Sequence, residues 1–208
     1  MGIFNNIGLK NMTGRVESNS RGQTFALAML VESGLGFLGL LVAWLGSIPL
    51  IPRLVFEREA LTRGIVATVP MIALLLLLTF ANWRPLVEFR RQVEAFVKEI
   101  FPSSSPWELA LVSLAAGFGE ELLFRGALQP LVSHWTSPAI GLIAVSLLFG
   151  AMHAVSKAYF ILAALVGLYL GWLAMSFDDL VAPITAHALY DFVALMVMQH
   201  RVRRADPS

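Results

Sequence analysis

The chain has 208 residues, 57% of them apolar and 14% charged, with a net charge of +1 and a mean hydropathy of +0.73. Soluble domains run at about 45–50% apolar and about 25% charged, so this composition excludes an ordinary globular protein and suits one membrane-embedded domain. The absence of cysteine excludes disulfides, thiolate catalysis and Cys-based zinc or iron–sulfur centres, and the near-neutral charge excludes the basic face that nucleic acid requires.

Residues 1–23 form a polar segment of mixed charge. They hold no apolar stretch followed by a small-residue cleavage site, so no removable signal peptide is expected and the first hydrophobic span acts as its own insertion signal. A hydrocarbon core of roughly 30 Å takes about 20 apolar helical residues. Six segments answer to that, at 24–50, 64–83, 107–133, 138–155, 158–176 and 182–198. The expected fold is therefore all-α: a polytopic membrane helix bundle over 24–198 with about six transmembrane helices, followed by a basic tail at 199–208.

Between the second and third spans, Val87, Phe89, Val93, Phe96, Val97 and Ile100 recur near a helical period, with Arg90, Arg91, Glu94 and Lys98 on the other side. This pattern predicts an amphipathic helix at the headgroups over Arg84 to Phe101. Pro102 to Pro106 reads as a turn, with Ser104 or Ser105 capping the next helix.

Placing the N-terminus in the cytoplasm puts eleven Lys and Arg residues inside, against Arg53, Arg58 and Arg63 outside. The positive-inside bias then sets both termini in the cytoplasm, although the outward arginines run against it. The lack of a targeting segment and the small size point to a prokaryotic plasma membrane.

The third span carries Glu120, Glu121 and Arg125. Each ionised group near a helix centre costs about 2.5–3.5 kcal/mol, so such groups persist only when they are paired and face protein or water. Glu121 and Arg125 are i and i+4 and share a face. Glu120 is turned about 100° away and lacks that partner, which suits it to proton transfer. The fourth span carries Phe149 and His153, and the sixth carries His187 and Asp191, each pair again i and i+4. His134, read as lying in a loop, and His200 receive no role. Gly167 and Gly171 form a GxxxG suited to close helix packing. Glu32 in the first span has no evident partner. Glu120 and His153 lie 33 positions apart about a midpoint at Thr136–Ser137, which sets them at similar depth in a helical hairpin. Counting from Pro138 and Ala182 puts His153 deeper than His187. Tilt, a re-entrant turn through Phe177–Val181, or different span ends would close that difference.

Glu120-Glu121-Leu-Leu-Phe-Arg125 resembles the EExxxR motif of the CAAX protease and bacteriocin-processing (CPBP, or ABI) family. Phe149-Gly-Ala-Met-His153 resembles its FxxxH motif, and His187-Ala-Leu-Tyr-Asp191 its HxxxN/D motif. The resemblance covers about 107–195. It implies a helical membrane bundle with a polar cavity and a peptidase activity; eukaryotic members remove the last three residues of prenylated CAAX proteins. Carried over by motif, it implies that Glu120 and His153 activate water, that His187 and Asp191 stabilise the oxyanion, and that Glu121 and Arg125 hold the helix.

The residue chemistry agrees in part, since hydrolysis needs a base and an oxyanion donor. Ionised Asp191 only accepts hydrogen bonds; it either orients His187 or holds a proton. The family is often labelled metalloprotease, and a metal-free glutamate mechanism is also argued for it. No cofactor is firmly implied, and a divalent metal such as zinc stays open, with Glu120, His153 and His187 as candidate ligands. There is no HExxH signature.

The expected function is an intramembrane endopeptidase acting on a peptide or lipidated protein that enters from membrane lipid or its surface. The alternatives are a non-catalytic membrane adaptor or immunity protein that uses the same cluster to bind a partner, and a proton-coupled transporter. The last is disfavoured by the lack of an internal repeat. Oligomeric state is left open.

Overall fold

The computed structural model describes residues 4–101 and 104–205, with side chains described from residue 22 onward. Residues 1–3 of the polar segment, Pro102 and Ser103 of the expected turn, and 206–208 of the basic tail lie outside the described residues. The helices are α1 (Phe4–Leu45), α2 (Arg58–Phe80), α3 (Arg84–Ile100), α4 (Pro106–Glu121), α5 (Gln129–Trp135), α6 (Pro138–Met152), α7 (Lys157–Phe177) and α8 (Val181–Ala205). A π-helical segment, Leu122–Leu128, joins α4 to α5, so Pro106 to Trp135 runs as one rod. Ser105 starts that rod with a reciprocal capping box to Glu108, which satisfies two otherwise orphaned amide groups.

Four stretches are long and apolar enough to cross a membrane: Gly22–Leu45, Arg58–Phe80, Lys157–Phe177 and Val181–Arg204. The protein is a polytopic helical membrane protein. Leu30, Phe37, Trp44, Val66, Leu77 and Trp172 are all exposed. In water such a surface would drive association; in a bilayer it faces lipid.

About six spans were expected, and the third and fourth of them differ from a full-length apolar helix. Helix α6 has 15 residues, about 22 Å at 1.5 Å per residue, short of the hydrocarbon thickness. The third expected span is broken by the π segment. His134, expected in a loop, lies in the last turn of α5.

α4 packs between α1 and α8, α2 packs along α8, and α6 packs on α7 and α5. Small residues permit these approaches, as expected where lipid supplies no hydrophobic drive between helices. Backbone meets backbone at Gly119 of α4, against the Glu32 carbonyl of α1, and at Gly39 of α1, against Leu122 and Leu123. Leu122, Ala43, Leu180 and Ile184 close the core at that end.

Helix α3 forms over the expected residues and buries Phe89 and Val97. Arg90, expected on the polar face, instead reaches the end of α2 and donates to the Thr79 and Ala81 carbonyls at 2.8 and 3.2 Å. It thereby caps carbonyls that the helix leaves unpaired.

Two of the three arginines expected outside, Arg53 and Arg63, are paired with acids. Arg53 Nε lies 3.1 Å from Asp178, and Arg63 lies 3.3 Å from Asp179. Burial pulls the Arg53 guanidinium below its usual range, and Asp178 and Asp179 oppose that pull. The turn leads directly into the core: Asp178 is exposed, but Leu180 N–H donates to the Arg53 carbonyl at 2.8 Å, and Leu180, Val181 and Ala182 have no exposure. Helix α8 therefore begins inside the protein.

A Cβ placed on Gly39 would lie 2.7 Å from the Leu123 nitrogen, whereas one on Gly34 meets nothing within 4 Å. Gly39→Ala is expected to lower unfolding free energy by about 1–3 kcal/mol, while Gly34→Ala is neutral or slightly stabilising. Thermal unfolding of the purified variants in detergent checks the contrast.

Candidate active site

The rod from Pro106 to Trp135 presents its two glutamates at the end of α4, just before the π segment changes the helix register. Glu121 and Arg125 are 0% and 1% exposed. Glu121 Oε1 accepts from Arg125 Nη1 at 2.7 Å, as the i,i+4 spacing predicts. The other guanidinium nitrogen, Nη2, donates to the Gly167 carbonyl at 3.1 Å. One turn further on, Gln129 Nε2 donates to the Gly171 carbonyl, also at 3.1 Å. The GxxxG pair thus does more than permit close packing. With no side chain in the way, its carbonyls become acceptors that lock the rod to α7.

Glu121 Oε1 also accepts from His187 Nδ1 at 2.8 Å. Glu121 therefore ties the α4 rod to α8 as well as to Arg125. His187 Nε2 faces Asp191 Oδ2 at 3.4 Å and Glu120 Oε2 at 4.0 Å. A ring with a carboxylate at each nitrogen is set up to donate from both.

His153 stands directly after α6, as its C-terminal cap. Its Nδ1 donates to the Phe149 carbonyl at 2.8 Å, and its Nε2 lies 3.6 Å from Glu120 Oε2. Phe149 stacks on His153 with centroids 4.4 Å apart, meets His187 edge-on, and lies 4.4 Å beneath the Arg125 guanidinium. It spaces the two imidazoles and covers the cation.

Glu120 Oε2 is buried and makes no hydrogen bond among the described residues. It lies on the wall of a cavity of about 360 Å³ with His153, Asp191 and Tyr159; apolar residues of α3 such as Val93, Val97 and Ile100 line another side. All four expected catalytic residues, Glu120, His153, His187 and Asp191, thus converge, and Glu121, Arg125 and Phe149 stand directly behind them. His153 and His187 both lie within 4.0 Å of Glu120 Oε2, although counting along the expected spans set them at different depths.

Sequence reasoning left Glu32 unexplained. It lines the same cavity, with a buried Oε2 that lacks a partner among the described residues. The signal was present, as a lone acid in an apolar span, but nothing in the sequence tied α1 to Gly119. Tyr159 was missed altogether, because a tyrosine near a helix start carries no distinctive pattern.

Glu120, His153 and His187, the candidate metal ligands, do not form as placed a group of three or more His, Asp or Glu side chains that could hold an ion, and no such group occurs among the described residues.

Residues 102–193 match a family model described as type II CAAX prenyl endopeptidase Rce1-like. Over this stretch the chain is similar to that family. The Rce1-like region contains all seven site residues and the Gly167–Gly171 docking pair. The uncharacterized protein YpbD of Bacillus subtilis (strain 168) is 34% identical over 111 residues, which cover 51% of this chain and 54% of that protein. The chain thus aligns with about half the length of that relative. No solved structure matches the chain.

Removing one partner of a fully buried ion pair leaves an uncompensated charge, at a cost of about 3–5 kcal/mol. Arg125→Ala and Glu121→Ala in the Rce1-like region are each expected to destabilise by that amount. The double variant should fall well short of the sum. A double-mutant cycle on unfolding free energy measures the coupling.

Proposed function

We propose that the protein is an intramembrane endopeptidase that hydrolyses a peptide bond of a membrane-associated or lipidated substrate. The observation that carries this reading is the placement of Glu120 Oε2. It is buried without a hydrogen bond, at 3.6 and 4.0 Å from the Nε2 atoms of His153 and His187, on the wall of a cavity.

Because His153 Nδ1 donates to a backbone carbonyl, its Nε2 keeps a lone pair. Glu120 Oε2 and His153 Nε2 are then two acceptors facing each other, and one water can give a hydrogen to each. Glu120 takes a proton from that water as its oxygen attacks the scissile carbonyl. His187 Nε2–H donates to the oxygen that becomes negative. As the C–N bond breaks, the proton held on Glu120 passes to the leaving nitrogen, directly or through His153, and the site returns to its starting state. Asp191 and Glu121 hold the His187 ring from its two ends. No step passes through a metal.

Substrate chemistry follows from the cavity wall. Its apolar side is formed by α3, expected to lie at the headgroup level, so a lipidated or apolar peptide segment can enter from the bilayer or its surface. Within this reading the α4–α5 rod and α6 complete a six-span bundle, with α3 interfacial and both termini cytoplasmic, in a prokaryotic plasma membrane.

Glu120→Gln removes the base and keeps the shape. It is expected to lower cleavage of a prenylated fluorogenic peptide by at least about 100-fold with unchanged thermal unfolding. Undiminished turnover in that variant would remove the peptidase reading. A cellular phenotype insensitive to the substitution would favour the adaptor or immunity role.

A further inference from the structure

A tetrahedral intermediate is best stabilised by more than one donor aimed at its oxygen, and the site as described supplies one, His187 Nε2. Asp191 stands where an asparagine would offer an N–H. Its Oδ2 lies 3.4 Å from His187 Nε2, and as a carboxylate it brings lone pairs, not a donor. A negative group beside a developing oxyanion also repels it. Resting on the peptidase reading, the active site is therefore one donor short.

Two phenols line the cavity, Tyr159 and Tyr190. Tyr190 packs against two apolar clusters of the core. Tyr159 belongs to neither and lines the cavity together with Glu120, His153 and Asp191. Its hydroxyl makes no hydrogen bond among the described residues, in contrast to Tyr169, which donates to the Ala67 carbonyl at 3.0 Å. Its backbone is held: the Tyr159 N–H donates to Ser156 at the start of α7, six residues after His153. Its ring packs on Phe89 of α3 at 6.0 Å. An anchored phenol with an uncommitted O–H, lining the same cavity as the base and the aspartate, is a donor awaiting an acceptor.

We infer that Tyr159 is a catalytic residue whose hydroxyl donates to the oxyanion, supplying the hydrogen bond that Asp191 cannot. The phenol stays neutral and transfers no proton, so the step adds only a hydrogen bond that strengthens as charge builds on the carbonyl oxygen. Tyr159 and His187 then approach that oxygen from α7 and α8, and Asp191 serves to orient His187.

The test uses the full chain in detergent or liposomes with a prenylated fluorogenic peptide as probe. Tyr159→Phe, which keeps the ring and its contact with Phe89, is expected to lower kcat by about 100-fold, the effect of losing one oxyanion donor, with KM nearly unchanged. Tyr190→Phe should leave kcat within about twofold, a change far below that of one lost donor. Adding Asp191→Asn to Tyr159→Phe restores an N–H and should recover at least about tenfold of the loss. A merely structural tyrosine would not be rescued this way. Full kcat in Tyr159→Phe overturns the role, and so does a loss that appears in KM or is not relieved by Asp191→Asn. Wild-type turnover that Glu120→Gln abolishes separates these outcomes from failure of the peptidase reading itself, which would remove both.

Discussion

A guanidinium that has left water altogether must be answered by fixed groups, and the rest of this site is arranged around that requirement. Arg125 is 1% exposed, and the effective penalty for an unpaired ion in such surroundings is several kcal/mol. Glu121, the Gly167 carbonyl and the face of Phe149 meet it. Each of these has a second task. Glu121 holds His187 by Nδ1, Gly167 ties the rod to α7, and Phe149 supports His153 through its ring and its carbonyl. Satisfying one buried charge therefore aligns both imidazoles toward Glu120. Glu120 and Glu121 are neighbours in sequence, and the helix turns them to different sides: Glu121 toward the cation, Glu120 toward the cavity.

The seven site residues were legible in the sequence because charges in apolar helices are conspicuous and helical spacing says which ones share a face. The Glu121–Arg125 pair and the separate direction of Glu120 followed from the 3.6-residue period alone. What could not be read was everything that depends on how helices end. Counting along spans assumes that every helix starts at the same membrane surface, so it could not place His187 beside Glu120. The turn at Asp178–Leu180 is held by Arg53 and Arg63 from distant parts of the chain, and no local pattern announces that. The π segment was invisible for a related reason: its apolar sequence, Leu-Leu-Phe around Arg125, also suits an α-helix. Glu32 was visible as an anomaly but not as a neighbour, since its approach to Gly119 is set by backbone contact between α1 and α4.

The arginines between the first two spans show how a rule based on composition can be answered by structure. Arg53, Arg58 and Arg63 run against the expected orientation bias. Arg53 and Arg63 are matched by Asp178 and Asp179, and Asp179 also accepts the Ala182 N–H at 2.7 Å to start α8. The charges that look misplaced in sequence are those that hold the start of α8.

Helix ends inside a bilayer are costly, because the last carbonyls and first amides have no helical partners and lipid offers none. Here α6 stops short, with His153 donating to its own helix at Phe149, and α8 starts low, with Asp179 on its first turn. Such ends persist where side chains or a polar cavity can answer them. Hydrolysis imposes the same condition, since it needs water, a base and oxyanion donors at one point within apolar surroundings. The end of α6 at Met152 and the start of α8 at Val181 bring both histidines to Glu120 beside a cavity, so the irregularity of the bundle is what the proposed hydrolysis relies on.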